Sequence, residues 1–109
     1  MRTTISARHC EVSDVLRERA LAVIERLAQL SPHALDATVV FDVGGPVHRA
    51  EIRLHARGRK LLVGAGEGTD HRSALDQAEA RLRGQLVKAD HARRQARRSP
   101  PARPTSPGT

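Results

Sequence analysis

Apolar residues recur along this chain with two different periods, and the switches between them mark six elements. Thr3, Ile5 and Ala7 share one side of residues 3–7 at period two, the pattern of a short strand. Ser13 then offers an N-cap, and Asp14 puts a carboxylate in the first turn, where the helix dipole favours it. Leu16, Ala20, Val23, Ile24, Leu27 and Leu30 follow at helical spacing, which predicts an amphipathic helix over 14–30. Ser31-Pro32 ends it, because a residue before proline is pushed out of the helical region.

Three alternating segments come next. Ala37, Val39, Phe41 and Val43 share a face of residues 36–43, with Val40 on the other, and Gly44-Gly45-Pro46 makes a turn. From 49 to 55, Ala50, Ile52 and Leu54 face in, while Arg49, Glu51, Arg53 and His55 face out. After a polar turn at Arg57-Gly58-Arg59-Lys60, residues 61–65 form a third strand of this meander, loosened by Gly64 and Gly66. Thr69 or Asp70 caps a second helix whose apolar stripe is Ala74, Leu75, Ala78, Leu82, Leu86 and Ala89. That helix reads clearly from 70 to 88 and runs on into ADHARRQARR.

The order is β-α-β-β-β-α. Two helices with one apolar stripe each, and a sheet with one apolar face, predict an α+β two-layer sandwich. Both helices cover one face of a four-stranded sheet. The other face, carrying Arg53 and His55, is left wet or bound. The length of 109 residues fits one domain over 1–98. Residues 99–109, SPPARPTSPGT, hold four prolines and no large apolar residue, and are expected to be a disordered tail.

Charge changes the picture. Nineteen basic residues against twelve acidic give a net +7, which argues for a polyanionic partner without specifying a fold. No apolar run is long enough to span a bilayer, and the first fifteen residues lack an apolar signal core. A cytoplasmic protein without a membrane partner is expected, and the single cysteine, Cys10, fits a reducing compartment. Phe41 is the one aromatic residue, so base stacking on aromatic side chains has almost nothing to work with. What remains is recognition through phosphates, sugars and shape, as for structured RNA.

Candidate chemistry is sparse. None of the six histidines sits in a Cys-x-x-Cys, His-Glu-x-x-His or P-loop pattern. Gly64-x-Gly66-x-Gly68 lacks the spacing of a dinucleotide fingerprint and reads as a strand end and turn. Glu67, Asp70 and His71 are a conceivable metal or acid–base group, as in a small hydrolase. A helix cap at Asp70 with an exposed His71 in the first turn explains them without ligands. No catalytic residue, metal site, cofactor or small-molecule substrate is expected. The basic residues are the stronger lead. Arg81 and Lys88 lie seven apart on one stripe of the second helix, and Arg83 and Arg94 fall on the opposite flank. Arg19 and Arg26 share a stripe on the first helix, and side-by-side packing is expected to merge these stripes into one basic surface.

Three motifs carry a family resemblance. Residues 7–27 contain Glu11-Val12-Ser13-Asp14-x-Leu16-Arg17. Ala65-Gly66-Glu67-Gly68-Thr69-Asp70 is followed by Ala74-Leu75-Asp76, and Arg81-Leu82 by Gln85-Leu86-x-Lys88. In this order, on this frame, residues 3–94 resemble the ribosome hibernation promoting factor and ribosome-associated inhibitor family. The resemblance implies a double-stranded-RNA-binding-like fold. It also implies docking on the small ribosomal subunit and its rRNA, where the protein occludes the mRNA and tRNA path under starvation or in stationary phase. Carried over residue by residue, it points to Arg26, Arg81 and Lys88 as RNA contacts. The charge pattern adds Arg83, Arg93 and Arg94. Arg72, Gly84 and Val23 depart from residues usual in the family: tyrosine, arginine and lysine. Long members carry a second, ribosome-pairing domain, so a chain stopping at Thr109 is expected to be a short form. The reading is therefore a non-catalytic translation inhibitor. The alternative is a module for another structured RNA or nucleic acid that uses the same basic helical face.

Overall fold

A computed structural model describes residues 1–58 and 60–98; of Asp90, Arg93, Ala96, Arg97 and Arg98 only the helical backbone is described. The proline-rich segment 99–109 lies outside the described residues. The elements are β1 (Arg2–Arg8), α1 (Asp14–Leu30), β2 (Ala34–Gly44), β3 (Val47–Ala56), β4 (Lys60–Gly68) and α2 (His71–Arg98). They form a four-stranded sheet in the order β1-β2-β3-β4. β1 runs parallel to β2, joined by the α1 crossover, and β2, β3 and β4 form an antiparallel meander.

Both helices lie on one face, as the patterning predicts. α1 begins where Ser13 Oγ accepts the Leu16 N–H at 3.1 Å, and it stops before Ser31-Pro32. Its stripe of Ala20, Val23, Ile24 and Leu27 is buried with Ala37, Val39 and Phe41 of β2, Ala50, Ile52 and Leu54 of β3, and Ala74, Leu75, Ala78, Leu82 and Leu86 of α2. β2 and β3 turn through Gly45, whose φ of +62° suits glycine.

The glycines of β4 are not a strand end. β4 runs on to Gly68, and Gly64 and Gly66 sit buried in its middle, facing α2. A Cβ on Gly64 would stand 2.6 Å from the Ala78 carbonyl oxygen and 2.8 Å from Leu82 Cβ; one on Gly66 would stand 2.7 Å from the Ala78 nitrogen. The glycines form a floor on which α2 rests backbone to backbone. A repeat that loosens the strand in sequence terms is the condition for seating the helix.

α2 is 28 residues long, about 42 Å at the usual rise. Leu86 is its last buried position among the described residues, so its C-terminal turns project past the sheet. No described helix is long and apolar enough to cross a membrane.

Candidate nucleic-acid interface

The basic residues of α2 leave it on two flanks. One borders α1. There Glu79, buried with 10% of its side chain exposed, takes a bidentate pair from Arg26 (Nε–Oε2 2.8 Å, a second N–H to Oε1 at 3.0 Å). Arg83, one turn along α2, donates to the same carboxylate at 3.0 Å. One turn earlier, Arg19 is paired with Asp76 at 3.0 and 3.1 Å. Arg26's hydrogen bond holds the Glu79 carboxyl below its ordinary range, against the opposing effect of burial. The same bond raises the Arg26 guanidinium.

The other flank borders the outer edge of β4. Gln77, Arg81 and Gln85, at successive fours on α2, reach the edge strand's outward backbone groups. Gln77 Oε1 accepts the Glu67 N–H at 2.8 Å, Arg81 donates to the Ala65 carbonyl at 2.7 Å, and Gln85 donates to the Val63 carbonyl at 2.7 Å. This ladder covers polar groups that would otherwise template another strand. It engages one N–H of Arg81 and no carboxylate, so the charge of Arg81 is not neutralised. Lys88 is exposed on the same stripe.

The expected merger of the α1 stripe with Arg81 and Lys88 does not occur. Arg19 and Arg26 meet α2 on its other side, where they join Arg83 across Asp76 and Glu79. Helix packing buries the apolar stripe between the two flanks, so a residue beside α1 cannot also border β4. Of the remaining candidates, Arg94 lies on the exposed C-terminal turns, and the side chain of Arg93 lies outside the described residues.

The other chemistry-bearing residues have structural partners. Asp70 caps α2, its Oδ1 accepting the Ser73 N–H at 2.7 Å, and that bond leads the lowering of its pKa. His71 is not exposed as expected. It is half-buried, edge-on to Phe41 at 5.3 Å and to His48 at 4.6 Å, with Nε2 donating to the Asp42 carbonyl at 3.1 Å. It belongs to the packing where α2 starts. Among the described residues, no three His, Cys, Asp or Glu side chains are grouped as a metal site.

Glu79 and the glycine floor were not singled out as functional by the sequence reading. Glu79 carried a faint signal, lying four residues before Arg83 and beside the apolar stripe. Its partner Arg26 stands out in the sequence as a basic-stripe residue, but across 53 positions nothing links it to Glu79.

The fold is a two-layer α+β domain whose long helix carries, on its β4 side, basic residues with no carboxylate partner among the described residues. A family model described as Sigma 54 modulation protein / S30EA ribosomal protein matches residues 3–94, and the chain belongs to that family of ribosome-associated proteins. The structure is similar to the Thermus thermophilus Protein Y N-terminal domain (TM-score 0.73, 29% identity, covering 82% of this chain and 99% of that one). It is also similar to a ribosomal subunit interface protein from Coxiella burnetii (TM-score 0.74, 16% identity, covering 84% and 99%). No curated protein matches the chain.

Proposed function

We propose that this protein is a non-catalytic, cytoplasmic translation inhibitor that docks on rRNA of the small ribosomal subunit and blocks the mRNA and tRNA path. The observation that carries the reading is the β4-side flank of α2, in a chain of the ribosome-associated family. There Arg81 and Lys88 stand on one stripe with no carboxylate partner among the described residues. Arginine's planar fork suits phosphate, and the N–H spent on Ala65 fixes the direction in which the rest of the guanidinium points. Arg94 on the projecting turns extends the same helix, and Arg93 is placed with it by sequence. Arg26 and Arg83 are half-exposed around Glu79 and offer their outer N–H groups from the α1 side. Inhibition on this reading is steric: a rigid two-layer wedge occupies a channel and needs no chemistry there.

The test is co-sedimentation with ribosomes at low and raised salt. Wild type should travel with the small subunit at low salt and be released as salt rises, since each phosphate neutralised steepens the log–log salt slope by about 0.7–0.9. The double variant Arg81→Glu/Lys88→Glu should keep its circular dichroism and lose the ribosome. A folded double variant that still binds would refute the surface. Binding to other RNAs without competition by tRNA on ribosomes would turn the reading to a different structured RNA.

A further inference from the structure

The open face of the sheet carries a charge pattern that the helical flank does not explain. Register places Arg8 of β1, Asp42 of β2, Arg49 of β3 and Glu67 of β4 side by side in one row. The next rows are Ser6-Val40-Glu51-Ala65, Thr4-Thr38-Arg53-Val63 and Arg2-Asp36-His55-Leu61. Arg2, Arg8, Arg49 and Arg53 are matched by Asp36, Asp42, Glu51 and Glu67. Within the chain Arg49 pairs with Glu67 at 2.7 Å, Arg53 with Glu51 at 2.6 Å, His55 with Asp36 at 2.8 Å and His9 with Asp42 at 3.2 Å, so contacts to a second copy would exchange with these exposed pairs. The face is formally neutral in a chain of net +7. It is therefore a poor surface for a polyanion, and the excess charge lies elsewhere.

The end row alternates plus, minus, plus, minus. Such a row is complementary to its own reverse. A two-fold axis parallel to the strands, between β2 and β3, would set β1 of one copy against β4 of the other. Arg8 would then face the second copy's Glu67, and Asp42 its Arg49. In the remaining rows Asp36 meets His55, while Arg53 meets Thr38 and Glu51 meets Val40, so no position meets a like charge but the opposite-charge pairs lie in the end row and at Asp36–His55. The same operation lays Arg2 and Thr4 over Leu61 and Val63, which are 49% and 36% exposed, large for apolar side chains on a strand. A groove of about 380 Å³ beside the end row, lined by Arg8, Asp42, Arg49, Glu51, Glu67 and Arg81 among others, leaves room for side chains from an opposing sheet.

From this self-complementarity we infer that the open sheet face is a docking surface for a second copy of this chain, forming a two-fold, sheet-on-sheet dimer. Four strands at ordinary spacing offer roughly 500 Å² per copy, or about 1,000 Å² in all, the lower limit for a specific interface. The dimer is accordingly weak and salt-sensitive, because its specificity is carried by exposed charges. Such an isologous contact closes on itself rather than growing into a filament, and it leaves both helical layers outward.

The inference does not rest on the ribosomal reading, and its test uses the protein alone. Sedimentation of wild type from micromolar to millimolar concentration should show a reversible dimer that dissociates as salt is raised. Arg8→Glu sets two carboxylates opposite each other at both symmetry-related positions, and Glu67→Arg sets two guanidiniums opposite each other. Each variant alone should remain a monomer at concentrations where wild type dimerises. An equimolar mixture should dimerise again, since glutamate at position 8 then meets arginine at position 67, and the unaltered pair remains on the other side. That rescue also shows that both variants are folded. A wild type monomeric throughout, a single variant that still dimerises, or a mixture that does not recover would each overturn the proposal. So would a face on which Arg8→Glu weakens RNA binding and Glu67→Arg strengthens it, with no effect of mixing.

Discussion

The two flanks of α2 carry the same kind of residue in opposite states. Beside α1, Arg26 and Arg83 surround one buried carboxylate and Arg19 holds Asp76, so guanidinium charge is spent joining the helices. Beside β4, Arg81 is held by a backbone carbonyl and Lys88 stands in solvent, so the charge remains available. A carboxylate partner fixes an arginine and cancels it. A carbonyl partner fixes it and leaves it cationic. Counting basic residues on a helix cannot separate these cases, because the difference lies in what the neighbouring element presents.

The most disruptive way to break the comparison is to lift α2 off the sheet. Gly66→Val places a branched side chain where a single Cβ would already stand 2.7 Å from the backbone nitrogen of Ala78. Backbone cannot yield there as a flexible side chain would. The variant should lose about 3 kcal/mol or more of stability, as overpacked core sites do, read by urea or thermal unfolding. A near-neutral result would mean that α2 does not bear directly on β4, and both flanks would have to be redrawn.

That site also marks the limit of what patterning reveals. The boundaries of α1 were legible because a capping serine and a Ser-Pro stop bracket one apolar period. The two-layer fold followed from the stripe-and-alternation match. Asp70 as cap of α2 was legible for the same local reason. The glycine floor was not. A glycine at alternate strand positions reads as weakness when only the strand is in view, and its purpose appears once Ala74 and Ala78 are placed above it. The Arg26–Glu79 pair escaped for a related reason: 53 residues separate its ends, and no periodicity links them. His71, polar and early in its helix, was read as exposed because nothing in the sequence brings Phe41 and His48 against it.

An intermediate effect is expected at the seam. Glu79→Gln keeps the shape of the side chain but removes the charge that joins Arg26 and Arg83. A charge-assisted pair at a buried carboxylate is worth a few kcal/mol, but both arginines are half-exposed and rehydrate, so the loss should be about 1–2 kcal/mol. The pH dependence gives the sign. Folding holds this carboxyl below its ordinary value of 4.5, so the unfolded chain takes up the proton first. The contribution is complete above 4.5 and is lost as the pH falls through the depressed folded value. The stability gap between wild type and Glu79→Gln should therefore be widest near neutrality and close in acid. A gap independent of pH would mean that packing, rather than the ion pair, accounts for the loss. The same variant sharpens the functional contrast. Freed arginines beside α1 should steepen the salt dependence of RNA binding if that flank reaches phosphate, and leave it unchanged if only the β4 side does.

The smallest effect belongs to Gly84, which stands exposed in α2 between Arg83 and Gln85 with open space where a Cβ would be. Glycine in a helix interior costs about 1 kcal/mol relative to alanine, so Gly84→Ala should raise stability by roughly 0.5–1 kcal/mol. It should leave ribosome binding untouched, because it adds no charge. Gly84→Arg should give most of the same stabilisation and also place a cation without a designed carboxylate partner on the exposed side of the helix. Comparing the two isolates charge from helix propensity at one site. If the arginine variant binds ribosomes more tightly and with a steeper salt slope while the alanine variant does neither, the RNA-facing arc of α2 extends beyond the Arg81–Lys88 stripe to its outward side. Equal binding by both confines that arc to the β4 edge, where a backbone carbonyl rather than a carboxylate holds the arginine.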